Sequence, residues 1–95
     1  MNRPDEDLAL APLTRQQRCI VDALSRSYPR PVDIRHLIDA VYANDPSGGP
    51  ETAHGVVKAQ LFHVRKAIVP FGWEIPKRCK GKQPAGFYRL SRISN

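Results

Sequence analysis

Apolar residues recur at helical spacing in three stretches of the chain, and the pattern then changes to short extended runs. In the first stretch, Leu13, Ile20, Val21 and Leu24 share one face, with Gln17 among them. Thr14 and Gln17 have the Thr-x-x-Gln spacing of a capping box, so a helix is predicted to begin there. It should end near Ser27, because the prolines of Tyr28-Pro29-Arg30-Pro31 cannot continue it. A second helix is predicted after Asp33, a capping residue type, with Ile34, Leu37, Ile38, Val41 and Tyr42 as its apolar stripe. Asn44-Asp45-Pro46-Ser47-Gly48-Gly49-Pro50 reads as a loop.

The longest periodic segment runs from about Thr52 to Val69. Val57, Leu61, Val64 and Ile68 fall within about 60° of one another on a helical wheel, so they predict the buried side of a third helix. Phe71-Gly72 supplies its stop. Beyond it, Trp73-Glu74-Ile75 and Phe87-Tyr88-Arg89-Leu90 read as two strands, joined by a glycine- and lysine-rich excursion over 76–86. Trp73, Phe87 and Tyr88 are expected to pack this hairpin on the helices. The first twelve residues show no amphipathic period and read as a flexible acidic tail over 1–12. The expected fold class is therefore mainly α with a small β-hairpin, formed as one domain by residues 13–95.

At 95 residues the chain has room for one modest core. No apolar run approaches the roughly 18 residues of a spanning helix, so a membrane protein is not expected. The acidic start lacks the pattern of a secretory signal, which predicts a cytoplasmic location. The net charge of +6 is unevenly placed. Residues 1–12 carry Arg3 against Asp5, Glu6 and Asp7, a net −2, and residues 13–51 balance to zero. Residues 52–95 hold Lys58, Arg65, Lys66, Lys77, Arg78, Lys80, Lys82, Arg89 and Arg92 against Glu74 alone, a net +8. A one-sided basic field suits a polyanion, usually nucleic acid, although it can also be a solvated surface.

Three helices followed by a basic hairpin is the order of a winged helix-turn-helix. Val57-Lys58-Ala59-Gln60-Leu61-Phe62-His63-Val64-Arg65-Lys66-Ala67-Ile68 resembles the recognition helix of the OmpR/PhoB-type winged-helix effector domains that end many response regulators. Ile75 and Gly86-Phe87-Tyr88-Arg89-Leu90 are similar to the family's wing, and Leu13-Thr14 and the stretch from Val32 to Tyr42 to its first two helices. The resemblance spans about residues 13–92 and implies a double-stranded DNA-binding transcription regulator of bacterial or phage type. Family members usually carry a receiver domain and a short sheet before the first helix, and residues 1–12 accommodate neither. A stand-alone effector without direct phosphorelay control is therefore expected. His63 stands where the family often has arginine, and the wing is longer around Lys77 to Pro84, so target specificity does not transfer.

On the third helix, Lys66 centres the face opposite the apolar stripe, with Gly55, Ala59 and Phe62 beside it, Thr52 and His63 at one edge, and Lys58 and Arg65 at the other. Lys58, Arg65 and Lys66 are candidate phosphate or base-edge donors, or simply a solvated face. Phe62 could touch a thymine methyl, pack beneath the wing, or join a dimer contact, and His63 could hydrogen-bond a base. Thr52 completes the candidate helix contacts. Small Gly55 and Ala59 would allow close approach to DNA, though Gly55 could equally lie in a frayed first turn. Lys77, Arg78, Lys80 and Lys82 form a cationic loop suited to phosphate or the minor groove.

His36 and His54 lack partners at metal spacing, and Cys19 and Cys79 form no CxxC, so free thiols and no metal are expected. Cys19 is read as core. No phosphate loop, paired carboxylates or nucleophile–base pattern is present, so neither enzymatic activity nor a cofactor is expected. The alternative function is a winged-helix interaction module docking on RNA polymerase or another regulator. RNA binding is a weaker option, and a homodimer is compatible with so small a reading surface.

Overall fold

Capping chemistry sets where the long helices begin. The computed structural model, which describes residues 4–43, 45–47, 49–76 and 86–93, contains α1 (Pro4–Asp7), α2 (Arg15–Ser27), α3 (Ile34–Val41) and α4 (Ala53–Ile68). At the start of α2, the Gln17 amide donates to Thr14 Oγ1 (3.3 Å) and the Thr14 amide donates to Gln17 Oε1 (3.1 Å), completing the expected capping box. Asp33 caps α3 by accepting from the Arg35 amide at 2.9 Å. Its other oxygen accepts from Arg35 Nη2 at 3.1 Å. The amide first, and the guanidinium second, hold the Asp33 carboxyl below the usual aspartate value. After α4 a short 3₁₀ turn, Val69–Phe71, closes on Gly72 at φ 86°, a left-handed conformation that glycine adopts without a Cβ clash.

The strands are β1 (Val32–Asp33), β2 (Trp73–Glu74), β3 (Phe87–Tyr88) and β4 (Ser91–Arg92). β2 and β4 pair antiparallel, with Trp73 opposite Arg92 and Glu74 opposite Ser91. The strand β1, absent from the sequence expectation, pairs antiparallel with β3 and sets Val32 opposite Tyr88. The two strands expected over 73–75 and 87–90 therefore do not pair with each other: β3 pairs with β1, and β2 pairs instead with β4, further along the returning chain. The Ile34 amide also donates to the Gly86 carbonyl at 2.7 Å, which ties the start of α3 to the same return.

The α4 stripe predicted from its wheel is the stripe that is buried: Val57, Leu61, Val64 and Ile68 pack with Ile20 and Leu24 of α2 and Leu37 of α3. Trp73 is wholly buried and meets the Tyr28 ring edge-on at 5.2 Å between centroids. Phe87 and Tyr88 are half-buried, as is Cys19, which lies less deep than expected. Near the α3–α4 connection, the Tyr42 ring lies so close to Gly49 that an added Cβ would sit 2.8 Å from it.

Residues 4–12 differ from the flexible tail expected over 1–12. Leu8 is fully buried and Ala11 nearly so. Arg18 of α2 donates from Nη1 to the Leu8 carbonyl (2.7 Å) and from Nη2 to the Ala11 carbonyl (2.9 Å). Asp7 Oδ2 accepts from Trp73 Nε1 at 2.8 Å and lies 3.4 Å from Arg92 Nη2. The segment is a single helical turn followed by turns, so it has no period to read. Its order comes from two apolar anchors, Leu8 and Ala11, and from polar partners in α2 and near the far end of the chain. The fold is thus mainly α, with small antiparallel strand pairs.

Candidate nucleic-acid interface

The inward side of α4 is held by more than its apolar stripe. Gln17, which caps α2 through its oxygen, donates from Nε2 to Gln60 Oε1 at 2.8 Å, and Gln60 Nε2 donates to Gln16 Oε1 at 3.2 Å. Gln17 is buried, so an unpaired amide there would carry a desolvation penalty. This relay joins the buried stripe in holding the rotation of α4 about its own axis. The sequence places Gln17 both in the cap and among the apolar face of α2, but nothing near it signals Gln60, 43 positions later, as its partner.

With that rotation set, α4 turns Gly55, Lys58, Ala59, Phe62, His63 and Lys66 to solvent. These exposed residues follow the outward face drawn from the sequence. Phe62 is 53% exposed. Lys66 Nζ stands 4.5 Å from its ring centroid, and the His63 ring meets it edge-on at 5.7 Å. Phe62, His63 and Lys66 thus form one contiguous cluster, with Lys58 on the same helix. Thr52 is exposed at the helix start and makes no side-chain capping bond. A Cβ added at Gly55 would meet nothing within 4 Å, so packing does not require glycine there.

Arg65 stands apart from this group. It is half-buried, and its Nε is enclosed by protein without a hydrogen-bond partner, so part of its side chain is committed to packing. Arg92, counted in the basic half of the chain, is drawn to Asp7 and stacks 4.6 Å above the Trp73 ring. Arg89 is half-buried. Lys77, Arg78, Lys80 and Lys82, together with Cys79, lie outside the described residues. The cations that α4 presents outward are therefore Lys58 and Lys66.

Among the described residues no group of histidine, cysteine and carboxylate side chains is arranged to hold a metal ion. No helix among them is long and apolar enough to cross a membrane. Comparison with known proteins gives no matching family model, no similar curated protein and no similar solved structure.

Proposed function

We propose that this chain is a winged helix-turn-helix protein of OmpR/PhoB type that binds double-stranded DNA sequence-specifically and regulates transcription. In this reading α4 enters the major groove, and the 76–86 excursion is a wing on phosphate or in the minor groove. The observation that carries it is the two-sided character of α4. One side is anchored by Val57, Leu61, Val64, Ile68 and the glutamine relay, while the other offers Lys58, His63, Lys66 and Phe62 to solvent. A rigid helix of about 10–12 Å diameter matches the roughly 12 Å width of a B-form major groove. The deep, narrow major groove of A-form RNA does not admit such a helix, which favours DNA.

The order of elements supports the same reading, since β1 lies between α2 and α3 and pairs with the strand returning from the excursion. A cytoplasmic location accompanies it. Selection of duplex DNA from a random pool is the direct test. Enrichment of one sequence, with binding that weakens steeply as salt rises, is the expected result. Recovery of a stable complex with RNA polymerase or another regulator, with no duplex enriched, would replace DNA binding with the interaction-module reading.

A further inference from the structure

We infer that Phe62 is a specificity-determining residue that reads the C5-methyl group of a thymine in the major groove. The inference rests on the DNA-binding reading of α4 and adds a particular chemical feature to it. Phe62 is the one large apolar side chain that α4 leaves exposed, whereas Val57, Leu61, Val64 and Ile68 are all buried. Its ring is therefore not core material. Lys66 Nζ over the ring face and His63 at its edge restrict where the ring can point.

That environment selects the partner. The ring is apolar, but its neighbour Lys66 is cationic, so a matching surface must place an apolar group close to negative charge. A thymine methyl beside the phosphates of a major groove has that composition, and phenylalanine is among the side chains that make such contacts. Gly55 and Ala59 lie on the same stripe at i and i+4, followed by Phe62 at i+7 and Lys66 at i+11. The small pair leaves the helix surface low, so the helix can approach the base edges with Phe62 projecting beyond it. A Cβ at Gly55 would meet nothing within 4 Å, so packing within the fold does not account for the small residue there.

The test uses the duplex selected by the whole chain, with each thymine replaced singly by uracil, which removes only the methyl group. Wild-type protein should bind about fourfold more weakly when the contacted thymine is replaced, the equivalent of one buried methyl. Phe62→Ala should bind the thymine and uracil duplexes equally at that position. Phe62 is exposed, so the variant is expected to keep its far-UV circular dichroism, and Phe62→Gln provides a second variant without the ring. Specific binding with no uracil-sensitive position, or sensitivity undiminished in both variants, overturns the role of Phe62 alone. Absence of any duplex binding overturns this role and the DNA-binding reading together.

Discussion

Replacing Asp7 with alanine separates a packed N-terminal segment from a loose one. Trp73 is wholly buried, and its indole N–H donates to Asp7 Oδ2 at 2.8 Å. Removing the carboxylate leaves that donor without its partner, at a cost of about 1–3 kcal/mol. The ion pair with Arg92 adds little, about 0–1 kcal/mol, because the arginine side chain is 46% exposed. A net loss of about 1–4 kcal/mol is expected, and for a domain of this size each kcal/mol lowers Tm by roughly 4–8 °C. Asp7→Asn keeps an acceptor for the indole and loses only the charge, so its cost should stay within about 1 kcal/mol. The chain has a single tryptophan, so urea unfolding followed by its fluorescence reads the site itself. If both variants unfold within about 0.5 kcal/mol of wild type with unchanged emission, the Asp7–Trp73 contact contributes nothing and the segment is a tail.

Gly55→Ala should stabilise the fold by about 0.5–1 kcal/mol in chemical denaturation, since an exposed helical glycine is replaced where the new Cβ meets nothing within 4 Å. Gln60→Ala breaks both bonds of the glutamine relay and strands the buried Gln17 amide, so a loss of about 1–2 kcal/mol is expected in the same assay. Asp33→Asn keeps a helix cap but removes a carboxylate whose pKa is lowered, chiefly by the Arg35 amide. The ionised Asp33 stabilises the fold above the unfolded aspartate value of about 3.9 and ceases to do so as pH falls through its lower folded value. Urea midpoints measured down that acid range should therefore fall less steeply for Asp33→Asn than for wild type.

Local chemistry was legible where one short stretch determines the outcome. Thr14 with Gln17, Asp33, the α4 stripe and Gly72 all follow from neighbours within a few positions, and each is found in its expected role. β1 was not legible, because two residues carry no alternation and Val32 is held in its strand by a partner 56 positions later, Tyr88. The same holds for Leu8, whose burial depends on Arg18 and on the Asp7–Trp73 contact. At the candidate interface, the wheel separated outward from inward residues correctly, and the i, i+4 spacing of Phe62 and Lys66 foreshadowed their contact. Charge counting misjudged Arg92, since a formal charge does not reveal that Asp7 lies beside it. Arg65, which the wheel places at the flank of the outward face, is half-buried with its Nε enclosed, a detail that spacing alone does not give.

The salt dependence of binding to a selected duplex, compared between wild type and the Lys58→Ala/Lys66→Ala double variant, tests docking through α4 most directly. Each phosphate contact contributes about −0.9 to the slope of log affinity against log salt, so losing both lysines should make the slope shallower by about 2 and weaken binding at low salt. Equal affinity and equal slope for the two proteins, or no duplex selected at all, would contradict DNA recognition by this face of α4.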